Sequence, residues 1–362
     1  MPSPRTIQPS RPSSRAEPRR AEPGADPDDS ASSRGPRNQA RRPDPAPERA
    51  GVLVLGGGPD AEREVSLTSA RFVAEALEAA GLRVHRQSIG TLTLPELRAL
   101  PGDVIFPVLH GAWGEGGQLQ DLLEQDGRPF VGSAASASRA AMDKVATKAV
   151  AVRLGIATPP VHVLDLRDPA CPLRFPVILK PVHEGSTVGL YRCHDRAAWD
   201  RAGAAIRRDR HLDPGGPAGM RAYMIEPAVA GRELTLGLID DRPLPIIEII
   251  PADGLYDYQA KYHRADTRYV LDPALPPAAA ERIRDDSVRL ARELGIRHLA
   301  RADFMLDAAG TPWFLEINTI PGFTDHSLVP MAARHAGTGM PALCAALVAM
   351  ARRDHRRAPS AG

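Results

Sequence analysis

After residue 50, short apolar runs alternate with stretches of helical periodicity, and this alternation constrains the fold more than any other feature of the sequence. The run Gly51–Leu55 leads into three consecutive glycines, which predicts a buried strand that enters a tight loop. The next apolar residues recur at helical spacing, at Leu67, Ala70, Val73, Ala74 and Leu77. A second buried strand follows at Val104–Leu109. Because strands separated by helices pair in parallel, we expect a parallel sheet flanked by helices.

Two further segments combine strands and helices. In the first, we expect helices near 138–154 and 195–207 and strands at Val161–Leu164 and Val177–Lys180. In the second, we expect a helix at 279–294 and strands at Glu233–Ile239, Pro245–Ile250, Arg301–Leu306 and Pro312–Ile317. Helices at 327–335 and 340–353 complete the pattern. A chain of 362 residues is long enough for two or three domains.

Residues 1–50 differ in composition from the rest of the chain. They contain eleven Pro, ten Arg and seven acidic residues, and only Met1 and Ile7 are large and apolar. Such a stretch cannot bury enough surface to offset the entropy of ordering, so we expect a disordered tail. Its charges are mixed and no aromatic residues lie among them. This pattern favours a solvated extension over a basic arm for an acidic partner.

Several classes of protein fit the sequence poorly. Three cysteines, at positions Cys171, Cys193 and Cys344, are too far apart for a Cys-x-x-Cys site and odd in number. The sequence has no apolar run near the ~20 residues that span a bilayer, and its first residues lack the apolar core of a signal peptide. Net charge is +2, which gives no strong attraction to nucleic acid or membranes. We therefore expect a cytoplasmic protein whose partners are small molecules.

Lysine is rare in this chain. Of the 46 basic residues, 42 are Arg, and the four lysines are Lys144, Lys148, Lys180 and Lys261. A position that keeps Lys in such a sequence is a candidate for a task that needs a compact ammonium group. Lys144, Lys180 and Lys261 each lie beside a polar cluster, whereas Lys148 has no evident task.

Two loops at the carboxyl edge of the first predicted sheet carry polar side chains. The glycines at 56–58 fit a degenerate dinucleotide fingerprint, but the second strand, Arg83–Gln87, lacks the carboxylate that completes it. Glu62 follows this loop, where a carboxylate could hold an ammonium group or simply favour the helix dipole. His110 begins a second glycine-rich loop, and its position at the end of a strand suggests contact with a ligand.

The later loops suggest phosphate and metal chemistry. Lys180 ends a strand and is followed by a loop with two glycines and two hydroxyl side chains, which suits phosphate oxygens. Glu316 and Asn318 share one face of a strand, and Asp303 joins them if its strand pairs with theirs. Two carboxylates and one amide oxygen suit Mg²⁺. Ser327 precedes a helix whose N-terminus could receive a carboxylate.

Taken together, these motifs resemble those of the D-alanine–D-alanine ligases of the ATP-grasp superfamily. The matching segments, in family order, are Gly56-Gly57 with Ala61–Ser66, His110-Gly111 with Gly114-Glu115, Met142–Lys144, Lys180–Gly189, Tyr256–Tyr258 with Ala260–Tyr262, Arg301–Asp303, Glu316–Thr319 with Pro321-Gly322, and His326–Pro330. They cover about residues 51–353.

The resemblance implies an α/β, three-domain ATP-grasp fold with an N-terminal Rossmann-like parallel sheet. The expected divisions are a tail at 1–50, a substrate domain at 51–135, a central domain at 136–226 and a catalytic domain at 227–355. The implied reaction joins two D-alanines at the expense of ATP, through an acyl phosphate, for peptidoglycan precursor synthesis. The resemblance further implies two Mg²⁺ ions, which Mn²⁺ could replace, and a homodimer.

Roles carry over position by position. Those implied for ATP are Lys144, Lys180, Glu184, Ser186, Glu226, Glu233 and Lys261. Those implied for Mg²⁺ are Asp303, Glu316 and Asn318. Those implied for the amino acids are Glu62, His110, Arg301, Ser327 and Leu328. Arg301 and the Gly322 N–H would stabilise the tetrahedral oxyanion, and Glu62, Ser186 and Tyr262 would steady the closed loops.

Some features leave the specificity open. Tyr262 goes with an amine as second substrate in the family, which predicts D-alanine over D-lactate. Pro227 and Ala228 follow Glu226 where relatives often have a charged and then an aromatic residue, so the adenine pocket could differ. The alternatives are a ligase that joins other amino acids, a non-catalytic nucleotide-binding scaffold, and, more remotely, a nicotinamide-dependent oxidoreductase.

Overall fold

The computed structural model describes residues 51–165, 167–168, 170–185, 189–212, 221–251 and 267–357. The predicted tail at 1–50 lies outside these residues, as do Ser186, Lys261 and Tyr262. Within the described part of the chain, no helix is long and apolar enough to cross a membrane.

The N-terminal sheet is parallel, as its alternating sequence predicts. Its strands are β1 (Val52–Gly57), β2 (Val84–Ile89) and β3 (Val104–Pro107), in the order β2-β1-β3. Its helices are α1 (Arg63–Ala79), α2 (Leu94–Ala99), α3 (Ala112–Glu115) and α4 (Gln118–Asp126). Every residue of β1 is buried because this central strand has helices on both of its faces. Because β1 and β3 are parallel, the loops that follow them lie at the same edge of the sheet.

The helix expected near 138–154 is wrong as a single element. The chain forms α5 (Ala135–Met142) and α6 (Lys144–Arg153), separated by Asp143 in an extended conformation. The Asp143 carboxylate accepts hydrogen bonds from the N–H groups of Val145 and Ala146, at 2.9 Å each. Asp143 therefore caps a new helix, because a short side-chain acceptor competes with helix continuation and satisfies the first free N–H groups.

The second sheet is antiparallel and has four strands in the order β4-β7-β5-β6. These are β4 (His162–Val163), β5 (Val177–Pro181), β6 (Tyr191–Cys193) and β7 (Tyr223–Pro227). The helix α7 (Arg196–Leu212) covers one face through Trp199, Ala202 and Ile206. β7 spans the expected division at residue 226, and the domain boundaries stay a prediction.

The third sheet is antiparallel and has five strands in the order β10-β9-β8-β11-β12. These are β8 (Gly231–Ile239), β9 (Arg242–Ile250), β10 (Arg268–Leu271), β11 (Leu299–Asp307) and β12 (Pro312–Asn318). The helix α8 (Pro277–Glu293) packs on the face that carries the apolar side chains of β11. The final helices are α9 (Leu328–His335) and α10 (Met340–Arg357), and α10 packs against α1.

His298 joins three distant segments at the start of β11. Its Nδ1 accepts the N–H of Gly132 at 3.0 Å, and its Nε2 lies 3.1 Å from Oδ2 of Asp354 on α10. The side chain is fully buried, and its backbone φ is +68°. Burial, reinforced by the neighbouring Arg297 and opposed by Asp354 and Asp240, lowers the pKa of His298 from 6.5 to about 4. The folded protein therefore holds this imidazole in its neutral form.

We predict that this histidine makes the fold sensitive to acid. Because the folded-state pKa is lowered, its contribution to stability is present above pH 6.5 and is lost as the pH falls toward 4. Between pH 7 and pH 5, the wild type should lose about 2 kcal/mol more of unfolding free energy than His298→Asn. Asn suits the test because it tolerates a positive φ.

Urea denaturation at both pH values measures this difference. The control is His335→Asn, which removes a half-exposed histidine beside Asp272. The assignment requires His298→Asn to differ from the wild type in pH dependence by more than this control does. Equal losses in the wild type and in His298→Asn would contradict the assignment.

Candidate functional site

The N-terminal region and both antiparallel sheets contribute residues to one cleft, which we call the central cleft. Its wall includes Glu115 of α3, Lys144 of α6, the loop residues Glu184 and Gly185 after β5, and the end of β12. These elements are far apart in the sequence, and Ala141, Met142 and Ile317 add apolar surface between their polar side chains.

The pairing of β11 with β12 creates a row of polar side chains along this cleft. Asp303 lies opposite Glu316, and Arg301 lies opposite Asn318. Directly opposed residues of an antiparallel pair share a face, so all four point to the same side of the sheet. The metal site expected from the sequence requires this pairing of β11 with β12, and the structure contains it.

Each member of the row is held by a neighbour. Oδ1 of Asp303 accepts the Thr235 hydroxyl at 2.6 Å, and its Oδ2 lies 2.8 Å from Nη2 of Arg301. Oε2 of Glu316 lies 3.4 Å from Nζ of Lys144. Oδ1 of Asn318 accepts the Ile320 N–H at 2.8 Å. Arg301 thus pairs with Asp303, although the sequence analysis gave these residues separate roles.

This donor set fits magnesium that is shared with a phosphate ligand. The described residues contain no group of three or more His, Cys, Asp and Glu side chains able to hold a metal by themselves. Two carboxylates and an amide oxygen on one face are instead the partial shell that Mg²⁺ takes when phosphate oxygens and water complete it.

A buried ion triad lies behind the row. Oε1 of Glu226 is 2.6 Å from Nζ of Lys180, and its Oε2 is 2.8 Å from Nζ of Lys148. All three side chains are buried. Burial alone would raise the pKa of Glu226, but the two lysines hold it below its usual range. Burial lowers the pKa of Lys148 to about 8, although Glu226 opposes this shift.

Lys148, for which the sequence indicated no task, is a member of this triad through its ion pair with Glu226. Its one signal in the sequence was that it stayed lysine in a chain that uses arginine almost everywhere else. The ammonium group of Lys180 lies closer to the Glu226 carboxylate than that of Lys148 does. Burial would lower its pKa, but Glu226, Glu316 and Asp303 together raise it above its ordinary value.

Lys144 and Glu184 bring the second sheet to the cleft. The backbone N–H of Lys144 donates to the carbonyl of Val182 at 3.2 Å, and its ammonium donates to the carbonyl of Glu184. The carboxylate of Glu184 forms an ion pair with Arg221, with Oε1 2.9 Å from Nη2. The expected nucleotide contact Glu184 is therefore held in place by an arginine that the sequence analysis did not single out.

The N-terminal loops reach the same cleft. Glu62 is buried, and its Oε2 lies 3.6 Å from the position that a Cβ would take on Gly185. Nδ1 of His110 lies 3.1 Å from the Ile320 carbonyl, which only accepts, so this nitrogen carries the proton. Nε2 of His110 is 3.4 Å from the hydroxyl of Ser69. His110 therefore connects β3 to the loop that follows β12.

Asp60 lies near the cleft residue Glu184 and was not expected there from the sequence. Its Oδ2 accepts the Trp113 N–H at 2.9 Å, which ties the loop after β1 to α3. Burial raises its pKa, and the nearby carboxylates of Glu184 and Glu62 add to the shift. A lone Asp in a turn carries no recognisable sequence signal, because its neighbours come from other parts of the chain.

The remaining expected residues lie at the start of α9 and on β8. A Cβ on Gly322 would lie 2.9 Å from the Ser327 hydroxyl, so a larger residue would force a shift there. Ser327 is the N-cap residue of α9, but its hydroxyl accepts the Thr324 N–H at 2.9 Å and does not cap the helix. Leu328 is buried at the first position of α9. Glu233 shares a strand face with Thr235 by alternation.

Comparison with known proteins gives consistent matches. A family model described as the D-ala D-ala ligase C-terminus matches residues 167–349. The D-alanine–D-alanine ligase of Bordetella avium (strain 197N) is 44% identical over 306 residues, which are 82% of this chain and 93% of that relative. The D-alanine–D-alanine ligase of Azoarcus sp. (strain BH72) is 42% identical over 309 residues, 83% of this chain and 97% of that relative.

A solved structure extends the match to three dimensions. The D-alanine–D-alanine ligase of Bacillus anthracis, complexed with ATP, aligns with a TM-score of 0.70 at 26% identity. The alignment covers 86% of this chain and 100% of that one.

The parallel sheet followed by two antiparallel sheets that enclose a cleft defines an ATP-grasp fold. Within that class, the sequence matches decide the family. The chain belongs to the D-alanine–D-alanine ligase family. The family, fold class and enzyme class expected from the sequence are therefore confirmed, whereas the roles of individual residues stay predictions.

We predict that Glu226→Gln destabilises the protein strongly. The substitution leaves two buried lysines without a carboxylate, and breaking a buried ion pair from one side typically costs about 3–5 kcal/mol. The matched control is Glu293→Gln, which breaks an exposed ion pair with Arg153 and should change stability by less than about 1 kcal/mol. Urea denaturation at pH 7 compares them, and equal effects would show that the triad adds no stability.

Proposed function

We propose that this protein catalyses the ATP-dependent ligation of two D-alanines to D-alanyl-D-alanine, a peptidoglycan precursor, and that it does so as a homodimer. The observation that carries the proposal is the convergence of the Asp303, Glu316 and Asn318 row with Lys144 and the triad of Lys180 at one cleft. Its chemistry suits a phosphorylated substrate. The family relatives named above support D-alanine as the amino acid.

In this proposal, ATP lies between the two antiparallel sheets. Lys144 and Lys180 contact its phosphates, and both ammonium groups are already held near the cleft by carboxylate or carbonyl oxygens. Glu226, Glu184 and Glu233 surround the nucleoside. The loop of Ser186 covers the phosphates, and Lys261 contacts the transferred phosphate, two assignments that rest on the sequence resemblance.

Asp303, Glu316 and Asn318 would hold Mg²⁺, or Mn²⁺ in its place, between the protein and the phosphates. Bound there, the metal neutralises charge on the transferring phosphoryl group. The role of the protein is to fix these oxygens before the substrate arrives. Thr235 and Arg301 fix Asp303, and Lys144 fixes Glu316.

The reaction then has two steps. Glu62 binds the ammonium group of the first D-alanine, with His110 nearby, and the carboxylate of this substrate attacks the γ-phosphate to give an acyl phosphate and ADP. A free carboxylate is a poor acyl donor because it has no good leaving group, and phosphorylation supplies one. The amine of the second D-alanine attacks the acyl carbon, and phosphate leaves.

The second step needs a charged intermediate to be stabilised. Arg301 and the Gly322 N–H stabilise the tetrahedral oxyanion. The Asp303 carboxylate holds the Arg301 guanidinium in a fixed orientation, so little reorganisation accompanies the reaction. Ser327 and Leu328 bind the carboxylate of the second D-alanine at the start of α9. His110 positions the glycine loop through the Ile320 carbonyl.

The test is phosphate release from ATP and Mg²⁺, with the product identified by mass. We expect release with D-alanine and a D-alanyl-D-alanine product. L-alanine should give no release, and D-lactate should give little depsipeptide at neutral pH, as Tyr262 predicts from the sequence. If the protein binds ATP but does not respond to D-alanine, the proposal that D-alanine is the substrate is overturned. A ligase for other amino acids is then favoured.

We predict that Glu316→Gln raises the Mg²⁺ concentration needed for half-maximal activity at least ~10-fold, because a neutral amide replaces one of two carboxylates. The maximal rate at saturating Mg²⁺ should fall less than activity at low Mg²⁺. Removal of divalent ions with EDTA should abolish activity in both proteins. Glu293→Gln serves as the control, and an unchanged Mg²⁺ dependence in Glu316→Gln would count against the metal assignment.

A further inference from the structure

Lys148 is buried on the same helix as the cleft residue Lys144 but has no place in the reaction proposed above. Only 1% of its surface is exposed. Its Nζ lies 2.8 Å from Oε2 of Glu226, 2.7 Å from the Thr158 hydroxyl and 3.5 Å from the Phe314 carbonyl. Burying an ammonium group is costly unless oxygen atoms surround it, and Lys148 has three such neighbours. These contacts indicate a role of Lys148 other than packing.

These contacts connect the two sheets that enclose the cleft. Glu226 belongs to β7 of the four-stranded sheet, and Phe314 belongs to β12 of the five-stranded sheet. The Thr158 hydroxyl donates to the Phe314 carbonyl at 2.8 Å, and the Phe314 N–H donates to the Ala157 carbonyl at 2.8 Å. Lys148 therefore lies at the point where β12 is attached to the segment that follows α6.

The charge balance of the triad is uneven. One carboxylate, Glu226, serves two ammonium groups, from Lys148 and Lys180. If Lys180 turns toward a phosphate, Glu226 still keeps a cation at 2.8 Å, because Lys148 remains. Without Lys148, the same turn would leave the buried Glu226 carboxylate with no lysine beside it, which is strongly unfavourable.

We propose that Lys148 is a positioning residue that holds Glu226 and thereby leaves Lys180 available to the phosphates of the nucleotide. The inference rests on the proposed function in that it takes ATP as the ligand. It assigns Lys148 no contact with ATP itself. Lys148→Met keeps the Glu226 carboxylate, which then pairs with Lys180 alone. The loss therefore falls mainly on the phosphates, and the nucleoside contacts of Glu226 change less.

The preference for lysine at this position follows from the same geometry. Glu226, Thr158 and Phe314 enclose a single ammonium nitrogen, and the planar guanidinium of arginine is larger and carries donors in a fixed fork. The chain uses 42 arginines and four lysines, so retention of the ammonium here agrees with a site too small for arginine.

The test compares nucleotides that differ in their phosphates. The dissociation constants of adenosine, ADP and ATP with Mg²⁺ are measured by calorimetry or competition for the full chain and for Lys148→Met. We expect ATP affinity to fall at least ~10-fold while adenosine affinity changes less than ~3-fold, because Glu226 then retains Lys180. Arg153→Met is the control on the same helix, in an exposed ion pair, and should bind all three ligands normally.

A double variant separates this role from general support of the fold. In Lys148→Met/Glu226→Gln, no carboxylate retains Lys180, so the preference for ATP over adenosine should partly return. If Lys148→Met does not fold, Thr158→Val tests the same contact more mildly and should reduce that preference ~2–5-fold. Equal losses for adenosine and ATP, or no loss, would overturn the proposal.

The comparison of nucleotide affinities does not depend on which amino acid the protein uses as substrate. A wild type that prefers ATP to adenosine but does not ligate D-alanine would overturn the proposed reaction, and the Lys148 comparison would still decide this inference. A wild type that binds adenosine as tightly as ATP would overturn the inference, because no phosphate contact would then exist for Lys148 to support.

Discussion

A buried carboxylate between two buried lysines is the interaction on which the junction of α6 with the four-stranded sheet depends. Removing Glu226, Lys148 and Lys180 from water is costly, and their close pairing at 2.6 and 2.8 Å offsets that cost. Because the three side chains come from α6, β5 and β7, their pairing holds a helix and two strands in one arrangement. Lys144 lies on the same helix as Lys148, so the position of its ammonium group depends on that arrangement as well.

The row on β11 and β12 shows a different principle, in which backbone geometry alone places the side chains. The register sets Asp303 against Glu316, and the pleat then directs both toward the cleft while Ala302 and Phe304 enter the core. A shift by one residue would bury the carboxylates and expose the apolar side chains, so packing of the core enforces the geometry of the site. The register of β11 and β12 that buries the apolar side chains is therefore the same register that places the carboxylates in the site.

Most strands and the shared face of the site residues could be predicted from the sequence. Strong periodicity predicts strands such as β1 and β11, and alternation predicts which side chains share a face. The division at Asp143 was missed because apolar spacing continues across it, and the capping interaction depends on one side chain. β7 was missed because its partners, β4 and β5, are remote in the sequence. The contacts of Lys148 and Asp60 were not foreseen for the same reason, since their partners Glu226 and Trp113 lie on other elements.

The short helix α6 carries Lys144 and Lys148 four residues apart, about one turn and ~6 Å along its axis. One contacts the loop after β5 and Glu316 of β12, and the other contacts Glu226 of β7. One inserted residue between them would rotate the second lysine by ~100° and remove it from its partners. In evolutionary terms, this segment can tolerate many substitutions at its exposed positions but no change in length, whereas surface loops elsewhere in the chain can grow.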